Sequence, residues 1–347
     1  MLADEGSLIS DREQNPVDEV TFYTITDERF FVGTVAMVNS LRLMGHEQRV
    51  VALDCGLSKR QRDLLSSECE LVVLPEMRAT NPTLFKPYAN LLRPRGIAVM
   101  IDGDLIVTRR LDAVLEAAKA GQVCACADME PERWFVEWEQ IFELPCRPRR
   151  QAYVNAGFLA FSVEHWPDLL PRWWDSCRRI WSHPTIYEDA VWEDPTSQAD
   201  QDALNALLMS EVPAESLSVL PRETQPDVEQ LRYLVELVDV DRLSCSLHGK
   251  PVTLVHLTGK TKPWERRGWN WQGRHPYPTL LRRLVIGRDV RIRVSRNDIP
   301  VLWLRSGRLG AVSMRSLSLA NSVTRIRKWR LLRRAYKLLR GQPLHTL

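Results

Sequence analysis

The sequence predicts an α/β fold with a mostly parallel central sheet covered by helices on both faces. Three observations point to it. From residue 20 to about residue 127, short apolar runs bounded by turn residues alternate with longer stretches of helical periodicity. Several runs are apolar throughout rather than alternating, as strands buried on both faces must be. One of them ends directly at two carboxylates, and in such sheets ligands gather at the carboxyl ends of the strands.

Val20 to Thr26 reads as the first strand, and Phe30, Ala36, Met37 and Leu41 recur at helical spacing over about 29–44. Arg49 to Asp54 is the second strand, and Ser58 caps the helix that follows. Leu71 to Leu74 is a third strand, Lys86 to Leu92 a short helix, and Ile97 to Ile101 a buried strand. A helix over 111–120 and a strand over 122–127 come next. The aromatic stretch around Trp134, Phe135 and Trp138, ending in Arg147-Pro148-Arg149-Arg150, is expected on a lid or acceptor loop; packing of its rings into the core is the alternative. The helix around 166–181 carries Trp173, Trp174 and Trp181 as core packing.

Asp102-Gly103-Asp104 follows the Ile97 to Ile101 run. Residues two apart on an extended segment point to one side, so both carboxylates can reach a single hard cation, while Gly103 admits a close neighbour. An Asp-Gly dipeptide alone is an ordinary turn. About 150 residues later, Pro251 to Val255 reads as another buried strand ending at His256, followed by Leu257-Thr258-Gly259-Lys260-Thr261-Lys262-Pro263-Trp264. A neutral imidazole can complete a carboxylate site for Mn²⁺ or Mg²⁺, and an ammonium can neutralise a phosphate. The pair therefore predicts one metal site, Asp102, Asp104 and His256, with Lys262 as a clamp for a diphosphate.

These two motifs resemble the Asp-X-Asp and H-x-x-G-x-x-K-P-W signatures of glycosyltransferase family 8, which are retaining enzymes of the GT-A fold that use nucleotide sugars and Mn²⁺. Two segments between them are similar as well: Tyr153-Val154-Asn155-Ala156-Gly157-Phe158-Leu159 resembles the family's strand beside the donor sugar, and Asp200-Gln201-Asp202-Ala203-Leu204-Asn205 its D-Q-D-x-L-N segment. The resemblance covers roughly residues 20 to 270, with none in 222–250. It implies a hexosyl donor such as UDP-glucose or UDP-galactose, and a saccharide or lipid-linked acceptor. It implies Gln201, Asp200 and Asn155 at the reacting sugar. Thr26 and Asp27 fall at the nucleotide base, Lys86 on the donor phosphate side, and Gly103, Ala156, Asp202 and Gly259 along the rest of the donor. An amide such as Gln201 is a poor nucleophile, which favours a front-face route.

The 347 residues, 44% hydrophobic and 26% charged, have the composition of a soluble globular protein. Seven cysteines without a CxxC pair are expected as reduced thiols, which argues against a disulfide or zinc framework. The acidic start, Met1 to Gly6, lacks the apolar core of a secretory signal, and no run approaches the roughly 20 apolar residues that span a bilayer. A cytoplasmic location is expected. Of the net charge of +3, eleven arginines and lysines after Asp298 contribute +11 with no acidic residue among them, leaving −8 on the preceding residues. The expected organisation is an N-terminal tail over 1–18, a catalytic domain over 19–275 and a basic extension over 276–347. Within the extension, Ile326, Trp329, Leu332, Tyr336 and Leu339 form an apolar stripe on a helix expected over 321–341, suited to the inner surface of an anionic membrane. Docking of that helix on the acidic body is the alternative, and no nucleic acid partner is expected. Two other functional classes fit parts of the pattern: a nucleotidyltransferase, which has no need of the His256 to Trp264 motif, and a catalytically silent sugar-nucleotide or glycan-binding module.

Overall fold

The computed structural model describes residues 19–74, 82–181, 192–221, 223–224, 235–258, 262–265, 276–299 and 301–316. A seven-stranded sheet forms its centre, in the order β3-β2-β1-β4-β7-β6-β8. The strands are β1 (Val20–Thr26), β2 (Arg49–Asp54), β3 (Glu70–Val73), β4 (Ile97–Ile101), β6 (Val123–Ala127), β7 (Val154–Ser162) and β8 (Leu217–Leu220). β1, β2, β3 and β4 run parallel, as does β8 beside β6, whereas β7 lies antiparallel to both its neighbours. The predicted mostly parallel sheet is present, with β7 as the strand that runs against it.

Strand pleat divides the core into two layers. In β4, Ile97, Val99 and Ile101 join one apolar cluster while Ala98 and Met100 join the other. Helices α1 (Phe31–Leu43), α2 (Lys59–Leu65) and α3 (Asp112–Lys119) contribute to the first layer; α4 (Trp138–Ile141), α5 (Leu169–Arg179) and α6 (Asp200–Ser210) contribute to the second. The Ser58 cap is a full capping box, its hydroxyl accepting from the Gln61 amide while the Gln61 side chain accepts from the Ser58 amide. Residues expected as a short helix over 86–92 form a 3-10 helix over Pro82–Leu92, with Pro87 inside it.

Two small sheets complete the fold. β5 (Leu105–Val107) pairs antiparallel with β12 (Leu254–His256), shorter than the strand expected over 251–255. β9 (Val235–Asp239), β10 (Ser244–Leu247) and β11 (Lys250–Pro251) make a three-stranded antiparallel sheet. The core does not break at residue 275: α7 (Pro276–Ile286) packs on α1, and Ile292, Ile299, Trp303 and Leu304 join the same layer. Asn39, fully buried in α1, donates to the carbonyls of Leu284 and Ile292 at 2.9 and 3.0 Å and accepts from the Ile292 amide at 2.9 Å. Residues 308–316 are helical, and the helix expected over 321–341 lies outside the described residues, as does the 1–18 tail. Among the described residues, no helix is long and apolar enough to cross a membrane.

Candidate active site

The site forms where β4 ends. Asp102 follows the fully buried Ile97–Ile101 strand, and its amide donates to the Gly157 carbonyl at 2.9 Å, extending the β4–β7 pairing by one rung. The chain then turns at Gly103, with the Leu105 amide bonding back to the Asp102 carbonyl at 3.1 Å, and enters β5. Register does the rest. His256 stands opposite Leu105 in the β5–β12 ladder, so the imidazole reaches Asp104 despite 151 intervening positions in the chain. His256 Nε2 lies 3.2 Å from Asp104 Oδ1 and 3.9 Å from Asp102 Oδ2. One ligand atom from each of the three residues lies within 4.8 Å of the others.

The donor set and the space around it fit a divalent cation. Two carboxylates supply hard oxygen donors and the imidazole a borderline nitrogen donor, a set that can hold a divalent cation. Gly157 keeps the space open, because a β-carbon there would stand 2.5 Å from His256 Cε1 and 3.1 Å from Asp102 Oδ2. Gly103 and Gly33 answer a second close approach: a β-carbon on Gly103 would meet Thr34 Oγ1 at 2.6 Å, and one on Gly33 would meet the Gly103 carbonyl at 2.5 Å. The start of α1 is thereby pressed against the aspartate turn.

Two buried ammonium groups balance the carboxylates. Lys262 Nζ lies 2.6 Å from Asp104 Oδ2 and donates to the Leu257 carbonyl at 2.6 Å. Its segment is seated on the approach to α1 by Trp264, whose indole donates to the Arg29 carbonyl at 2.7 Å, and by the Arg29–Glu265 ion pair. Lys86 Nζ lies 2.7 Å from Asp102 Oδ1 and 3.0 Å from Asp200 Oδ2, and donates to the Ala156 carbonyl at 3.3 Å. These charges set the ionisation of their neighbours. Burial disfavours the Asp104 carboxylate, yet Lys262 and His256 together hold its carboxyl well below the usual range. Burial likewise opposes the Lys86 ammonium, but Asp102 and Asp200 hold it above the usual lysine range. For Asp200 burial prevails over Lys86, and its carboxyl is pushed up.

A bulge shapes the other wall. Between Ala125 and Cys126 the β6–β7 register jumps, so Ala125 faces Leu159 while Cys126 faces Asn155, and residues 156–158 leave the ladder. The amides of Ala156 and Gly157 turn to side chains instead. The Ala156 amide donates to Gln201 Oε1 at 3.0 Å, and the Gly157 amide to Asn155 Oδ1 at 2.9 Å. Asn155 Nδ2 donates to Gln201 Oε1 at 3.1 Å and to Asp128 Oδ2 at 3.0 Å, while Gln201 Nε2 donates to Asp128 at 3.1 Å. Both ends of the Gln201 carboxamide are therefore fixed.

Asp102, Asp104, His256, Lys86, Lys262, Asn155, Ala156, Asp200 and Gln201 thus form one connected cluster. Thr26 and Asp27 stand at the carboxyl end of β1; Thr34 Oγ1 donates to Thr26 Oγ1 at 2.8 Å, and Asp27 Oδ1 accepts from the Phe30 amide at 2.8 Å. Gly259 lies outside the described residues. Asp202, expected along the donor, is fully buried and already engaged: Arg133 bonds both its oxygens, at 2.7 and 2.8 Å, the Tyr153 hydroxyl donates to Oδ1 at 2.8 Å, and the Gln198 amide donates to Oδ2 at 2.8 Å. Burial pushes the Asp202 carboxyl up, against the lowering by Arg133. The aromatic stretch splits: Trp138 is fully buried, in line with the core alternative, while Phe135 packs 4.7 Å from the Arg133 guanidinium and Trp134 4.2 Å from that of Arg150. Sequence reading missed Asp128 and Arg133. Asp128 was accessible to the rule that found Asp102, since it directly follows a strand.

No family model matches the chain, and no curated protein matches it. Among solved structures it is similar to the galactosyltransferase LgtC in complex with donor and acceptor sugar analogues, with 17% identity over 75% of this chain and 95% of that one and a TM-score of 0.45. It is similar to the apo form of WbbM, a bifunctional glycosyltransferase, with 15% identity over 78% of this chain and 50% of that one and a TM-score of 0.48. It is also similar to the apo form of the glycosyltransferase GlyE of Streptococcus pneumoniae TIGR4, with 14% identity over 72% of this chain and 56% of that one and a TM-score of 0.45.

Proposed function

We propose that the chain is a metal-dependent, retaining glycosyltransferase of the family 8 type, moving a hexose from UDP-glucose or UDP-galactose to a saccharide or lipid-linked acceptor. The observation that carries this reading is the meeting of its two sequence motifs: Asp102, Asp104 and His256 converge within 4.8 Å, with the Lys262 ammonium on Asp104. Asp102, Asp104 and His256 would hold Mn²⁺ or Mg²⁺, which supplies Lewis-acid stabilisation of a departing nucleoside diphosphate. Lys262 adds a positive charge for the same phosphates. Thr26 and Asp27 serve the base, and the backbone at Gly103 and Ala156 lines the donor. Asp200 and Asn155 take sugar hydroxyls, oriented by Lys86 and Asp128. The Gln201 carboxamide, fixed from both ends and a poor nucleophile, is suited to stabilising positive charge at the anomeric carbon while the acceptor hydroxyl passes its proton to the leaving phosphate. The basic helix expected over 321–341, with its apolar stripe, would bring the enzyme to an anionic membrane carrying a lipid-linked acceptor.

The test is release of nucleoside diphosphate from UDP-glucose or UDP-galactose in Mn²⁺, abolished by EDTA. Full activity in EDTA, or no release from either donor with metal and candidate acceptors present, sinks the reading. Flotation with anionic vesicles tests the membrane part: a chain truncated at residue 320 should lose it.

A further inference from the structure

We infer that Arg133 is a positioning residue, whose ion pair with Asp202 holds a strained turn at Ala199 and through it aims Asp200 and Gln201. This rests on the glycosyltransferase reading of the site. Residues 198–201 form a β-turn closed by the Gln201 amide on the Gln198 carbonyl at 3.0 Å. Ala199, its first corner, has φ 48° and ψ −117°, the conformation of the corresponding corner of a type II′ turn. Glycine is the residue that adopts it without strain, whereas alanine stays there only where its surroundings enforce it. Ala199 is fully buried.

The enforcement comes from Asp202 and Arg133. Asp202 Oδ2 captures the Gln198 amide on the far side of the turn, and both its oxygens are gripped by the Arg133 guanidinium. The same guanidinium donates to the Trp192 carbonyl, to the Asp194 carbonyl at 2.8 Å and to Ser197 Oγ at 3.0 Å, so one planar fork ties the whole approach to α6. Phe135 and Trp192 pack 4.7 and 4.5 Å from its centre. The last two residues of the turn carry the site: Asp200 meets Lys86 and Gln201 meets Asn155, Ala156 and Asp128. An apolar pair of equal volume could replace a buried ion pair without loss of stability, but it could not hold the Gln198 amide.

The experiment uses the full chain with Arg133→Lys, Arg133→Met, and Arg133→Met combined with Ala199→Gly. Steady-state donor turnover and amide exchange at Ala156 and Gln198 are measured, with Leu208→Ala as a destabilised control. Misaimed side chains predict that kcat falls about 10²-fold in both single variants while the donor KM moves little, because displacement of about 1 Å has that cost. Exchange at Ala156 and Gln198 should rise. Ala199→Gly should restore kcat about tenfold and slow that exchange, since glycine adopts the turn without Arg133. Wild-type kcat in both variants, a loss that Leu208→Ala reproduces, or no recovery by Ala199→Gly overturns the inference. Should the wild-type chain turn over no sugar nucleotide, the glycosyltransferase reading fails, and exchange decides the positioning role alone: unchanged protection at Ala156 in Arg133→Lys refutes it.

Discussion

The two walls of the site are held by opposite means. The wall at Asp102, Asp104 and His256 is electrostatic, with carboxylates delivered by strand ends and balanced by the ammonium groups of Lys86 and Lys262. The wall at Asp200, Gln201 and Asp202 is directional, built on a helix start whose carboxamide and guanidinium bonds fix side chains in place. An ammonium is a point charge with rotatable donors, so the first wall can change partners when a ligand arrives. A planar fork bonded to a buried carboxylate cannot. The first wall is thus suited to stabilising developing charge and the second to orientation, and each should fail in its own way.

The largest effect is expected on the first wall. Asp102→Asn and His256→Ala should each lower donor turnover by about 10²–10³ or more, the typical cost of a principal electrostatic contact. Asp104→Asn should lose as much and also destabilise the fold by about 3–5 kcal/mol, because Lys262, 3% exposed, would be left as a buried charge without its carboxylate. Asp102 has a side chain 23% exposed, so Asp102→Asn should unfold near wild type. Equal thermal stability of the two asparagine variants would erase the contrast. Next comes Gly157→Ala, whose β-carbon would press on His256 and Asp102. Mn²⁺ titration should show an affinity about 10–100-fold weaker, the usual cost of disturbing what orients metal ligands, with a loss of stability of about 1–3 kcal/mol from crowding the buried strand; unchanged affinity would mean that the two walls do not touch there.

The smallest effect lies at the opposite end of the strands. His46 is fully buried just before β2, its Nε2 accepting from the Leu111 amide at 3.0 Å. Burial holds its imidazole below the ordinary 6.5, with Asp112 opposing and Arg110 reinforcing. The unfolded chain therefore takes up a proton as pH falls through about 6.5 while the folded chain does not, so stability should fall on acidification by up to about 1.4 kcal/mol per pH unit. Urea midpoints between pH 7 and pH 5 measure this. His46→Gln, which keeps an acceptor for Leu111, should flatten the slope, and an unchanged slope would assign it elsewhere.

Much of the electrostatic wall was legible in the sequence because its ingredients are local: an apolar run names a strand, and the residue after the run names the site. The strands at 20–26, 49–54 and 97–101 fall where their apolar runs predict. The directional wall was only half legible. Asn155, Asp200 and Gln201 were found through resemblance, but Arg133 sits between an acidic and an aromatic neighbour, neither of which names its partner. Its partner lies 69 residues away. The bulge that frees the Ala156 amide leaves no mark in Val154–Ser162 either, since register is a property of two strands, not one.

Asn39 lies in the first helix, yet among the described residues its carboxamide is satisfied by backbone groups of residues 284 and 292. On a ribosome, α1 would therefore emerge with a polar group that must stay hydrated, and it could not close over the first core layer until some 250 further residues had followed. The part of the chain that carries the candidate site is made early but sealed late. A protein cut at residue 275 would retain every described site residue and lose the lid of its own core.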